Sequence, residues 1–475
     1  MTDNIQVRRL LLALSLASLV ALGGALLAKT NMVTVATVFT AAVILSINTL
    51  FYYAQAKRRG DFVPLYPDMG IAIFFSMTAL NALLLFFRTH GSNPFILGLY
   101  FPAPLPKALI LRALVIVACA NLLFIITFYS QLGPTLAARV PDPPTTTKTE
   151  QTLAKYVLIP FLLFGVTLAF LGLEFSGPLF VVARNFLYAL LPLLFVVGVY
   201  DKGVLGWPTA AALGTIAVLL LDGHLSYVIV PVLGLMVCYH FLYRKLKLLH
   251  IVQFGTVFVA IAIFGKQYRL RSTLPLLERI QESFVRMIIT FPSLFANNVI
   301  ARLSPFESFV TVIYFVNAGE VDLLFGRQYP AFIGKLLPQT VGGGDTYFAG
   351  GYYTNILLKN NIPPELARFI GENTTASLGA FGSWYLNFHL IGIVVGIIIM
   401  GVIFRIWTEL LDDHTDNMWV VAFHATNVWY MYSLWSVNTR TTRALLMRTI
   451  IFAFVFYTVR YFSHYMVRRR ASIAK

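Results

Sequence analysis

Apolar runs of about twenty residues recur along this chain, and they leave little choice of fold. MVTVATVFTAAVILSINTLFYYA, Met32–Ala54, is typical. A run of that length spans the hydrocarbon core of a bilayer as a helix. Lipid offers no hydrogen bonds to a bare backbone, so spanning segments are helices or closed barrels. These runs lack the period-two alternation of barrel strands. Charged residues make up 12% of the 475, against roughly 25% in a soluble domain. The expectation is an all-α polytopic membrane protein.

The pattern gives about twelve spans, with boundaries good to about four residues. They fall near Leu10–Leu27, Met32–Ala54, Asp68–Phe87, Ala108–Tyr129, Tyr156–Leu173, Leu179–Tyr200, Val204–Leu221, Leu225–Leu242 and Leu249–Phe264. After a long gap come Trp384–Ile406, Met418–Leu434 and Thr449–Tyr465. Three regions result: residues 1–265 with the first nine helices, a mostly helical loop at 266–383, and residues 384–475 with the last three.

The net charge of +16 would suggest nucleic acid in a soluble protein. Here the cations flank apolar runs, as expected of loops held in the cytoplasm. An N-terminus inside puts Lys57, Arg58, Arg59, Arg244, Lys245 and Lys247 inside, and both termini come out cytoplasmic. Arg440, Arg443 and Arg448 break the scheme by falling outside. Either the span count is wrong there, or these cations bind something anionic. The two cysteines, Cys119 and Cys238, lie inside apolar runs and suit neither a disulfide nor a metal. Asp412, Asp413, His414 and Asp416 read as a solvated turn rather than a metal cluster.

The loop at 266–383 is too long for an idle connection. Its first part carries Leu276, Leu277, Ile280, Phe284, Met287 and Ile288 at helical spacing, with Glu278, Arg279, Gln281 and Glu282 on the other side. Such a helix lies on the membrane surface or packs over the bundle. SPFESFVTVIYFVN then starts a second helix, with Ser304 at the N-cap and Glu307 at the third position. A polar stretch with a triple glycine follows, RQYPAFIGKLLPQTVGGGDTYFAGGYYTN, Arg327–Asn355. Its aromatics, Tyr329, Tyr347 and Tyr352 among them, are of the kind that stack on sugar rings or form an interfacial belt. Arg302 and Arg327 suit a phosphate, which a guanidinium holds bidentately. Arg302 is the only charge between Arg286 and Glu307. Charges within spans are expensive unless paired or wet. Arg184 stands near the outer end of its span, close to this loop, and Arg112 is placed to snorkel outward.

GENTTASLGAFGSWYLNFHLIGIVVGIIIMGVIFR, Gly371–Arg405, resembles the Wzy-type O-antigen or oligosaccharide repeat-unit polymerases. RLSPFESF resembles that family's entry to the large loop, and GRQYPAFIGKLLPQ its G…P…P passage. His389 departs from the family, standing where a glycine often follows NF. The resemblance implies an enzyme of the bacterial inner membrane that joins oligosaccharide repeat units carried on undecaprenyl diphosphate, at the periplasmic face. It implies no nucleotide sugar, no cofactor and no metal. A chain-length regulator and a flippase are its expected partners, besides membrane lipid, and nucleic acid is not.

Charge develops on the diphosphate as it leaves, and fixed cations stabilise it. Arg184, Arg302, Arg327, Arg440 and Arg443 are the candidates. The acceptor hydroxyl needs a base. Glu307 is preferred and Glu372 is the second choice, with Asp345 and His389 behind them. Glu307 has the alternative role of a capping-box carboxylate. Tyr329, Tyr347 and Tyr352 are the expected sugar contacts. The nearest rival is an O-antigen ligase, which needs a histidine in the large loop, and residues 266–383 have none. A polysaccharide exporter or flippase is the rival without catalysis. It would show internal repeats and short loops throughout, whereas this chain shows no repeat and one loop dominates.

Overall fold

A computed structural model describes residues 32–87, 105–143, 148–175, 187, 189–198, 209–212, 226–271, 273–295, 306–319, 321–326, 379–433 and 438–473. Among these the structure is helical, with no strand. The helices are α1 Val33–Arg59, α2 Pro67–Phe87, α3 Lys107–Tyr129, α4 Leu132–Ala137, α5 Lys148–Phe175, α6 Ser226–Leu242, α7 Leu248–Leu270, α8 Leu276–Phe295, α9 Phe306–Asn317, α10 Gly379–Asp413, α11 Met418–Ser433 and α12 Asn438–Ile473. Among the described residues, five are long and apolar enough to cross a membrane: α1, α2, α3, α10 and, within α12, Leu445–Tyr465. The protein is thus membrane-embedded and helical. The expected first span at 10–27 lies outside the described residues, and the sixth and seventh are described only at 187, 189–198 and 209–212.

Two compact units divide the chain. The first holds α1–α4, α9, α10 as far as Trp407 and the start of α12. Aromatic contacts hold its helices together. Phe51 of α1 meets Phe128 of α3 edge-on at 5.4 Å, and Phe124 of α3 lies 6.1 Å from Phe75 of α2 and 6.0 Å from Phe404 of α10. Such pairs add about 0.5–1.5 kcal/mol each to the burial of their rings. Small residues set how closely α10 approaches. A Cβ on Gly401 would meet the Thr127 side chain at 2.9 Å, and one on Gly133 would run into Arg405. Arg405 itself is buried, its guanidinium 5.1 Å from the Phe128 ring centre.

Helix α9 belongs to the expected loop at 266–383, yet it packs against α2 and α3. Phe306, Phe309, Val310, Val312 and Ile313 are buried there. This spacing gives α9 an apolar face too wide for a surface loop.

The second unit holds α5 to α8, the helical segment Ala189–Gly198, α11 and most of α12. Gly234 of α6 lies so close to the Ala425 carbonyl that a Cβ would stand 2.9 Å from it. Phe452 of α12 packs on Trp419 and Phe423 of α11. Both cysteines are free, and the Cys238 thiol lies 3.8 Å from the Pro192 carbonyl.

Candidate functional site

The expected tenth span, Trp384–Ile406, is broken. Within α10 the backbone leaves helical geometry at Phe388 (φ −140°, ψ 21°) and His389 (φ 56°, ψ −144°). The chain turns sharply back there. A continuous helix would put Trp384 about 12 Å from Gly392 and about 18 Å from Gly396. Instead a Cβ on Gly392 would collide with the Trp384 carbonyl oxygen, and one on Gly396 would stand 2.5 Å from the Trp384 indole. The two glycines, one turn apart, form the flat strip on which the tryptophan lies.

Breaking a helix frees carbonyls that must find other donors. Leu386 and Asn387 would accept from residues four further on in an intact helix. Here the Leu386 carbonyl accepts from the Leu324 N–H at 2.9 Å, and that of Asn387 from the Phe325 N–H at 3.0 Å. The Asn387 side chain also competes for helix backbone, its Nδ2 donating to the Ser383 carbonyl at 2.7 Å. Residues 321–326 are thereby laced to the elbow, at the point where the chain enters the polar stretch that starts at Arg327.

Polar groups gather at this elbow. Tyr385 is fully buried, and its hydroxyl lies 2.7 Å from His389 Nε2. The imidazole is partly buried. Asn387 is buried, and its Oδ1 has no partner among the described residues. A buried amide oxygen left without a donor costs about 1–3 kcal/mol. His389 adds conformational strain: positive φ with ψ near extended is essentially glycine territory, and other residues there cost about 1–3 kcal/mol.

Helix α9 is docked on the same element. Phe309 meets Phe381 at 5.6 Å and Tyr385 edge-on at 6.0 Å. Glu307, in the first turn of α9, is partly buried, and its backbone carbonyl accepts from the Thr311 hydroxyl at 2.8 Å. Of the other sequence candidates, Glu372, Arg184, Arg302, Arg327, Tyr329, Tyr347 and Tyr352 lie outside the described residues. Arg440 and Arg443 stand in the first turns of α12 rather than in a loop. Their segment, NTRTTRALLMR, is rich in helix formers and extends the last helix toward its N-terminus. Arg448, in the same segment, is buried, and its guanidinium lies 3.4 Å from the Thr426 carbonyl of α11. Packing thus accounts for one of the arginines that break the charge scheme. The acidic turn after α10 gathers no metal site, and none occurs among the described residues.

Of the sequence candidates, Glu307 lies in the helix docked on the elbow and His389 lies at the elbow itself, while Tyr385 and Asn387, which the structure places beside His389, were not among the candidates. The available signal was the Gly392/Gly396 pair, a spacing that invites close approach. The chain matches no protein-family model, no curated protein and no solved structure.

Proposed function

We propose that this protein is a glycosyltransferase of the Wzy type, joining undecaprenyl-diphosphate-linked oligosaccharide repeat units into a surface polysaccharide. In this reading it sits in the bacterial inner membrane with about twelve spans, cytoplasmic termini and the 266–383 segment facing the periplasm. The observation that carries the reading is the docking of α9 on the elbow of α10 through Phe309 and Tyr385. It joins the helix bearing Glu307 to the segment whose sequence resembles the polymerases. Reaction requires a hydroxyl on one repeat unit to attack the anomeric carbon of another, while the bond from that carbon to the diphosphate breaks. Glu307, or Glu372, takes the hydroxyl proton. Arg184, Arg302, Arg327, Arg440 and Arg443 hold the departing diphosphate, and Tyr329, Tyr347 and Tyr352 stack on the sugars.

A second reading rests on His389. The objection to an O-antigen ligase is the lack of a histidine in residues 266–383. The hydrogen bonds from Leu324 and Phe325 bring part of that segment to the elbow, so an imidazole does stand beside it. Deletion of the gene separates the two. A polymerase predicts that the surface polysaccharide collapses from a ladder to a single repeat unit. A ligase predicts loss of every attached unit while polymer still accumulates on the carrier lipid. An unchanged ladder rejects both.

A further inference from the structure

In the second unit, α8 leaves uncovered the side that a soluble helix would bury. Leu277, Ile280, Phe284 and Ile288 form a stripe at helical spacing, exposed at 81%, 43%, 53% and 59%. Val285 and Ile289 flank it and are exposed as well. The helix is nevertheless anchored. Arg279 stacks on the Tyr268 ring of α7, 3.7 Å from its centre, and its Nε donates to the Tyr268 carbonyl at 2.7 Å. Ser283, one turn on, is buried. So α8 turns a partly polar side to α7 and presents its apolar stripe outward. Glu282 and Arg286 are exposed on the opposite arc of the same helix, while the exposed Gln281 borders the stripe, four residues after Leu277.

We infer that α8 lies in the lipid–water interface, with the Leu277–Ile280–Phe284–Ile288 stripe inserted among acyl chains. Three observations favour lipid over a protein partner. The chain is membrane-embedded, so a bilayer lies at hand for any uncovered apolar surface. α7, on which α8 packs, also leaves Leu249, Val252 and Val257 uncovered, and lipid covers both helices without a separate partner for each. Finally, charged groups at Glu278, Arg279, Glu282 and Arg286 recur over the first turns of α8. Carrying each charge to the bilayer centre would cost about 2.5–3.5 kcal/mol, so a spanning orientation is disfavoured. An interfacial helix keeps them wet while its apolar side sinks about 5–10 Å.

The test uses the full-length protein in phosphatidylethanolamine–phosphatidylglycerol nanodiscs. Single cysteines replace residues of α8 in a background with Cys119→Ser and Cys238→Ser, and each carries a nitroxide. Labels at 277, 280, 284 and 288 are expected to collide more with oxygen than with a water-soluble nickel chelate, all at a similar shallow depth. Labels at 282 and 286, on the opposite arc, are expected to show the reverse. Depth that rises steadily from 277 to 288 would mean a spanning helix and overturn the inference. Chelate access along the whole stripe, or shielding of the stripe from both reagents by a second copy, would overturn it equally. Should the labelled variants misfold, a diazirine phospholipid cross-linked to the unmodified protein gives the same answer. Adducts are expected on the stripe, and their absence there with adducts elsewhere on the chain rejects the proposal.

Discussion

Two chain reversals in the first unit solve the same problem differently. After α1 the chain turns at Gly60, whose φ of 64° is free of strain for a residue without a Cβ. Its N–H and that of Asp61 bond back to the Lys57 and Ala56 carbonyls, closing the helix. The charged groups nearby are paired. Arg59 reaches both oxygens of Asp68, at 3.1 and 3.0 Å, and lies 4.2 Å over the Tyr66 ring. Asp68 also accepts from the Met69 N–H. The elbow in α10 turns at His389, in a conformation that suits glycine, beside an Asn387 oxygen without a described partner. The first reversal is built for stability. The second keeps an imidazole where a glycine would be more comfortable, which is the pattern expected of a working site.

The comparison breaks most readily at Asp68. Asp68→Ala removes the carboxylate that the buried Arg59 side chain contacts through both oxygens, and a loss of about 3–5 kcal/mol is expected. Thermal unfolding in detergent reads it as a large drop in the midpoint. A drop no larger than that of an exposed substitution would show that the ion pair is solvated. Next is the elbow's packing. Gly396→Leu drives a side chain into the Trp384 indole and is expected to cost about 1–3 kcal/mol. Trp384→Ala in the same chain should recover part of that loss, because the two side chains then no longer compete. Simple additivity of the two substitutions would argue against the folded-back elbow.

His389 sharpens the comparison further. Both His389→Gly and His389→Ala remove the imidazole, but only glycine relaxes the backbone. The glycine variant is expected to be the more stable of the two by about 1–2 kcal/mol. If the imidazole works in the proposed reaction, both variants lose the polysaccharide ladder although one of them melts higher. A full ladder from His389→Gly would reduce His389 to a structural residue. The smallest effect is at Gly60. No atom lies within 4 Å of where its Cβ would stand, so Gly60→Ala tests the dihedral alone. About 1 kcal/mol of destabilisation is expected, with the ladder unaffected.

Much of the helical framework was legible in the residues. The expected spans at Asp68–Phe87, Ala108–Tyr129 and Met418–Leu434 fall within a residue of α2, α3 and α11. Their apolar runs are long, and polar or proline-bearing segments mark their ends. The helical spacing that foretold α8 is likewise a local property. The helix that carries Glu307 is legible for the same reason, since its first residues form a recognisable helix start. The last helix starts well before the expected Thr449, because the helix propensity of its arginines and the burial of Arg448 favour helix where a charged segment suggests a loop. Tyr385 and Asn387 could not be found that way, since nothing in SWYLNFHLI distinguishes them from residues of an unbroken span.

The sequence alone determined that this chain lives in lipid, roughly where its helices run, and which side of α8 is apolar. Those properties follow from the free energy of transferring each residue between water and hydrocarbon, summed over neighbours along the chain. The tertiary structure alone decided that α10 folds back at His389 and that α9 packs into the bundle. Neither glycine nor proline stands at Phe388 or His389 to announce a break. The break is held by N–H groups of Leu324 and Phe325, far earlier in the chain, and by the close seating of Trp384 on two glycines. Contacts of that kind exist only once distant segments have met.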